Sequence, residues 1–199
     1  MKLAIPIAAI TLLLSSIGAH ADGTWCAQYG GTHGASLISA PLGDLSMAKK
    51  TEKAEKKLFD NVDICVDVTA PEARNTDATC GGLVFWFDSD ENAPPGLANK
   101  FYAFELTPDG HAGITRVDRG KSQASVPLHK AEGFRAGAGA TNTPRLTLKG
   151  RKGTAYLNDR PIFSFQGDPP PGGGNIGLLG RSEPLAADIW TFANIKVTD

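Results

Sequence analysis

Turn-forming residues punctuate this chain at intervals of roughly 8–15 residues, and that spacing constrains its fold more than any other feature. The clearest case is 101–121 (FYAFELTPDGHAGITRVDRGK). Residues 101–107 are aromatic and apolar around one acid, Glu105, and 112–118 form a return strand. Between them, Pro108 pre-sets φ for the first corner of a turn and Gly110 supplies a positive φ at its end. Arg119-Gly120 starts the next reversal. Asn158-Asp159 is a two-residue reversal of a kind that tolerates positive φ.

The runs between these turns have the period of strands. Residues 61–69 (NVDICVDVT) alternate, with Val62, Ile64, Val66 and Val68 facing one way and Asp63, Cys65 and Asp67 the other. Residues 81–88 (GGLVFWFD) are apolar on both parities, as in a central strand covered on both faces. Further runs at 125–129, 144–149, 154–157, 161–165, 175–181 and 188–197 bring the expected total to about ten to twelve strands. A weaker strand is expected at 43–48, and a shorter one at 36–39. No segment is long enough to make a crossover helix. The charge run 49–58 (KKTEKAEKKL) favours helix, but its only large apolar residue is Leu58, so it cannot bury a face and reads as a solvated connection. The expected fold is all-β, an antiparallel two-sheet sandwich.

Residues 1–21 read as a secretory signal: Lys2 is the basic start, 3–17 the apolar stretch, and Ala19-His20-Ala21 the cleavage site. The mature protein is then expected in the periplasm or secreted, as a monomer with no transmembrane span. Residues 22–42, rich in Gly, Ser and Thr, read as a flexible leader, and 43–199 as the sandwich. Export permits a disulfide. Of the three cysteines, Cys65 and Cys80 lie on successive strands joined by a polar loop, so they are the expected pair, with Cys26 a lone thiol; three unpaired cysteines are the alternative. No C-x-x-C or Cys/His cluster suggests a zinc site. A formal net charge of −1 argues against general nucleic-acid binding, which needs a concentrated basic surface.

Alternation also sorts candidate site residues. Leu83, Phe85 and Phe87 read as core on their strand, with Val84 and Trp86 opposite. Tyr102, Phe104 and Leu106 read as core, with Phe101, Ala103 and Glu105 opposite. Leu146 and Leu148 read as core, with Arg145, Thr147 and Lys149 opposite. Arg116 takes the polar parity of its strand. Trp190 and Phe192 share a parity that Ile195 and Val197 do not, which places a bulge between them. If the second faces converge, one sheet surface carries Trp86, Glu105, Arg116, Arg145 and Trp190. Aromatic rings beside arginine and a carboxylate suit a polyhydroxylated ligand: rings cover C–H patches and charged groups bind hydroxyls. The plainer reading pairs Glu105 with Arg116 on a partly covered surface.

Glycoside hydrolysis generally needs two carboxyl groups, about 5–5.5 Å apart for retention or 6.5–9.5 Å for inversion. No E-x-D-x-E run is present, and Glu105 has no acidic partner on its own strand, so it stands alone as the first catalytic candidate. No cofactor motif is evident. Asp88, Asp90, Glu91 and Asn92 offer oxygen ligands of the kind structural calcium takes, without a fixed ligand spacing; a hydrated loop is the plainer reading.

The stretch GGLVFWFDSDEN…FYAFELTPDGHAGITRVDRGK, the later TAYLNDRPIFSF…GNIGLLGRSE and the closing WTFANIKV resemble segments of concanavalin A-like and laminin-G-like domains, and of the 3-keto-disaccharide hydrolase (glycosyl hydrolase-like) family of exported bacterial proteins. The resemblance spans 58–199. It implies a jelly-roll of two packed antiparallel sheets, a carbohydrate site on the concave face, and a last strand returning beside 61–69. Trp86 stands where the pattern often has Arg, and 93–98 is an insertion before the aromatic strand. No catalytic residue carries over. A carbohydrate-binding domain without catalysis is the expected function, with a glycoside-cleaving enzyme and an envelope protein-interaction domain as alternatives.

Overall fold

The computed structural model describes residues 32–33, 38–40, 59–71, 79–89, 99–181 and 190–198. Their regular structure is all strand: β1 (Thr32–His33), β2 (Ile38–Ala40), β3 (Asn61–Thr69), β4 (Cys80–Ser89), β5 (Asn99–Leu106), β6 (His111–Asp118), β7 (Lys121–Lys130), β8 (Thr141–Asn142), β9 (Pro144–Lys149), β10 (Lys152–Leu157), β11 (Arg160–Gln166), β12 (Asn175–Arg181) and β13 (Trp190–Thr198). Every pairing is antiparallel. One sheet runs β1-β13-β3-β9-β10-β11, with β2 on β13 and β8 on β3; the other runs β12-β4-β5-β6-β7. This is the concanavalin A-like jelly-roll sandwich, and its last strand returns beside β3. No helix among the described residues is long and apolar enough to cross a membrane. The strand expected at 43–48, the charge run 49–58, Asp90, Glu91 and Asn92, and residues 1–21 lie outside the described residues.

The alternating strands explain the layering. Val62, Ile64, Val66 and Val68 of β3 pack inward with Leu146 and Leu148 of β9 and Ala155 and Leu157 of β10. Across the sandwich they meet Leu83, Phe85, Phe104, Leu106 and Ile114. Each large side chain taken fully out of water contributes about 1.5–3 kcal/mol. Gly81 leaves room for the Trp190 indole: a Cβ there would lie 2.3 Å from the ring. The β5–β6 turn has Gly110 at φ 98, and its N–H donates to the Thr107 carbonyl at 3.0 Å.

The faces expected in β4 change. In β4 the register shifts between Phe85 and Asp88, and Trp86 sits at φ 49. The bulge turns Trp86 into the inter-sheet core and sends Phe87 to the other side, against Phe101 at 6.1 Å between ring centroids. In β13 the shift falls between Ala193 and Lys196, with Asn194 at φ 52, so Trp190, Phe192, Ile195 and Val197 all reach the core. That bulge lies where the alternation placed it.

The expected Cys65–Cys80 bridge does not form. Cys65 is in a disulfide, whose other half lies outside the described residues, and Cys80 keeps a free, buried thiol. The two strands belong to different sheets. Cys65 shares the outer parity of Asp63 and Asp67, and Cys80 packs with Val84, Ala103 and Leu179 on the far face of the other sheet. Stacked sheets lie about 10 Å apart, beyond the roughly 7 Å between Cα atoms that a bridge can span.

Candidate functional site

The five side chains expected on one surface fall in four places. Trp86 and Trp190 are both 2% exposed and belong to the inter-sheet core. Arg145 points out of the larger sheet. Glu105 points out of the smaller one, so the two charged groups face opposite sides of the molecule. Arg116 does not take the polar parity expected of it: it shares the parity of core Ala112 and Ile114 and continues the inner face of the smaller sheet beyond its apolar part. Period two had grouped these residues by parity within a strand, but it does not say which sheet a strand joins.

Glu105 sits among groups that hold it in place. The Thr115 hydroxyl donates to Oε2 at 2.7 Å, and Arg181 Nη1 lies 3.5 Å from Oε1. Its cross-strand partners are Gly82 and Gly113, so neither adjacent strand sets an acid directly opposite it. The Cys80 thiol points at Oε1 from 3.9 Å. Burial, and then the Glu105 charge, push this thiol up to about 12, so it stays protonated and unreactive.

Arg145 is braced on the outer face of the larger sheet. Its Nε donates to Asp63 Oδ1 at 2.7 Å and its Nη2 donates to Oδ2. The guanidinium lies 4.8 Å from the Tyr156 ring centroid, Tyr156 being its cross-strand partner. Beside this brace runs a trough of about 590 Å³ lined by Asn61, Asp63, Thr147, Lys149, Lys152 and Thr154.

Arg116 lies in a different setting. Its guanidinium is 5.9 Å from the ring of Tyr102, the residue opposite it on β5. Nη2 donates to Asp118 at 3.1 Å, and Nη1 lies 3.9 Å from Asp168. The Asp168 N–H donates to the Tyr102 hydroxyl at 3.0 Å. Arg151, from the β9–β10 turn, donates through Nε to the Gly167 carbonyl at 3.1 Å and through Nη2 to Asp168 at 2.5 Å. Gly167 lets this loop lie flat: a Cβ there would come within 2.4 Å of Trp86 and 2.9 Å of Tyr102. Trp86 supports Tyr102 edge-on at 5.1 Å.

The β6–β7 turn completes a cleft of about 350 Å³ lined by Arg116, Asp118, Arg119, Lys121 and Gln123. The hairpin register aligns these groups, with Arg116 opposite Gln123 and Asp118 opposite Lys121. Guanidinium donors and carboxylate acceptors thus share one hollow with an amide that does both. Sequence reasoning singled out Arg116 here and passed over Tyr102, Asp118, Gln123, Arg151 and Asp168. The available signal was D-R-G-K at 118–121, a tight turn flanked by charges. Asp168 and Arg151 carried none, being distant in sequence and brought together only by the fold.

No known family profile and no curated protein sequence matches the chain. Solved structures do. A carbohydrate-binding module of family CBM66 from Bacillus subtilis is similar over 86% of this chain and 99% of its own, at 12% identity and a TM-score of 0.54. A protein described as a native glycosidic hydrolase matches over 84% and 79%, at 12% identity and a TM-score of 0.53. A β-glucanase from Bacillus licheniformis matches over 72% and 69%, at 11% identity and a TM-score of 0.52. At these identities the likeness is one of fold, and it establishes the chain as a concanavalin A-like jelly-roll sandwich.

Proposed function

We propose that this is an exported carbohydrate-binding domain, without catalysis, whose ligand occupies the cleft at Arg116. The observation that carries the reading is the sharing of one guanidinium. Arg116 is 36% exposed and divided between Asp118 and Asp168, which are 37% and 58% exposed. Its donors and their acceptors therefore face solvent in a fixed array, as vicinal hydroxyls require. The cleft volume lies at the lower end of the range for small-ligand sites, about 300–1,000 Å³. The fold is shared with a carbohydrate-binding module and with glycoside-cleaving proteins, which supports a carbohydrate ligand by analogy.

Glu105 is assigned a structural role, because Arg181 and Thr115 engage both of its oxygens and glycines flank it. Export is supported by the disulfide at Cys65, which persists in oxidising compartments, and by the signal-like segment at 1–21. Sequencing the N-terminus of the native protein tests it, with cleavage after Ala21 expected. Calorimetric titration against a glycan panel tests the site. Wild-type protein should bind at least one glycan, and Arg116→Ala should abolish that binding in a folded protein. Binding unchanged by Arg116→Ala would move the ligand elsewhere.

A further inference from the structure

The cations around this cleft are unequally matched. Elsewhere exposed Arg160, at the start of β11, has its own acid in Glu132 at 3.2 Å. At the cleft, Asp118 pairs with Arg116 and Asp168 is shared by Arg116 and Arg151, while Arg119 and Lys121 line the same hollow with no ion-pair partner among the described residues. The excess continues outward. Arg151 sits in the turn between Lys149 and Lys152, which line the outer trough, and neither lysine has an ion-pair partner among the described residues. The Arg151–Asp168 contact thus joins the cleft to the trough along a ridge carrying six cations against two aspartates, Asp118 and Asp168. The chain as a whole has a formal net charge of only −1, so this positive ridge is a local concentration.

Arg119 adds an independent sign. It occupies the first position of a two-residue hairpin turn at φ 50, followed by Gly120 at φ 76. Such a turn needs positive φ at both positions and favours Asn, Asp or Gly at the first. A long, branched-headed cation there is held in a conformation that costs roughly 1 kcal/mol or more, and the side chain lines the cleft instead of turning away.

We infer that the ligand is an anionic glycan whose acidic group meets Arg119 and Lys121, and whose chain runs over the β9–β10 turn into the trough at Lys149 and Lys152. This rests on the carbohydrate reading of the cleft. Carboxylate and sulfate share the required chemistry, and both accept bidentate bonds from arginine.

The test titrates the full mature protein with four probes: an oligogalacturonate, a sulfated heparin-derived oligosaccharide, a neutral xylo-oligosaccharide and oligothymidylate, each at low and at physiological salt. One acidic glycan should bind at least about tenfold tighter than the neutral one, with affinity falling as salt rises. The better of the two acidic probes identifies the group. Arg119→Asn should weaken acidic-glycan binding about tenfold while the melting temperature holds or rises, because Asn relaxes the turn. Lys149→Gln with Lys152→Gln should weaken long acidic oligosaccharides more than short ones. Equal affinity for the neutral glycan, insensitive to Arg119→Asn but lost in Arg116→Ala, overturns the anionic assignment and leaves the carbohydrate site standing. Oligothymidylate binding as tightly as the acidic glycans overturns it as well, by showing a general polyanion surface. Failure of every glycan overturns both readings.

Discussion

Among the described residues an arginine lies over a tyrosine twice, and the two copies have opposite characters. Arg145 lies over Tyr156 and Arg116 over Tyr102, each pair directly opposite across an antiparallel ladder. Arg145 gives two N–H groups to a single carboxylate, and both it and Asp63 are 16% exposed. Such a fork-to-fork pair satisfies both partners and leaves little for a ligand. Arg116 divides itself between two aspartates at 3.1 and 3.9 Å and stays open to solvent. A saturated arginine braces a sheet, whereas a shared one can exchange a neighbour for a hydroxyl or a carboxylate. Residue type is alike in the two cases, but Arg145 points out of its sheet while Arg116 continues an inner face, and the number of acids within reach differs with that placement.

The largest effect should come from behind the open copy. Trp86 is 2% exposed and packs on Phe85, Tyr102 and Phe165. Trp86→Ala should cost about 3–5 kcal/mol of stability, measured by denaturant unfolding, and should lower affinity only as far as Tyr102 loses its support. Direct stacking of a sugar on Trp86 would appear instead as lost affinity at full stability.

The next pair of variants sets brace against site. Asp63→Ala leaves the Arg145 guanidinium largely buried without its carboxylate and should cost about 2–3 kcal/mol, with cleft affinity unchanged. Arg116→Ala should cost about 1 kcal/mol or less, with cleft affinity lost. Opposite outcomes, binding lost in Asp63→Ala and retained in Arg116→Ala, would transfer the site to the outer trough.

Another arginine–carboxylate pair, Arg181 with Glu105 on the outer face of the smaller sheet, differs from these because a thiol shares it. Cys80 has its folded value raised from 9.0 to about 12. Above pH 9 the unfolded chain loses this proton while the folded protein keeps it, so the unfolded state binds fewer protons and stability falls with rising pH. Relative to Cys80→Ala, the wild type should lose stability at up to about 1.4 kcal/mol per pH unit between pH 9 and 12, with no such difference below pH 9. A flat difference across that range would mean that the thiol ionises freely in the fold.

Much of the sandwich was legible because alternation is a strong local signal. The inward sets of β3, β5 and β9, the outward positions of Glu105 and Arg145, and the bulge in β13 all follow from period two. What stayed hidden depends on contacts distant in sequence. Nothing at Trp86 announces a positive φ; the bulge is accommodated by Gly167 and Gly174, both more than about eighty residues away, whose missing side chains leave room for the indole and its backbone. Neither does alternation assign strands to sheets, which is why Cys65 and Cys80, adjacent as strands, end on opposite outsides. The cleft was missed for the same reason, since Arg116, Arg151 and Asp168 come from two sheets and a proline-rich loop.

The two tyrosine hydroxyls give the most direct contrast between the two copies. The Tyr102 hydroxyl accepts the Asp168 N–H at 3.0 Å, while that of Tyr156 makes no such bond among the described residues. Tyr102→Phe should therefore cost about 1 kcal/mol, and it should weaken cleft binding because the loop carrying Asp168 loses its anchor to β5. Tyr156→Phe removes a hydroxyl without a protein partner and should change neither quantity. Amide exchange at Asp168 reads the local event: faster in Tyr102→Phe, unaltered in Tyr156→Phe. If both variants lower stability alike and leave the Asp168 amide protected, the hydroxyl does not hold the loop, and Arg151 alone, through the Gly167 carbonyl and the Asp168 carboxylate, positions the acid that shares Arg116.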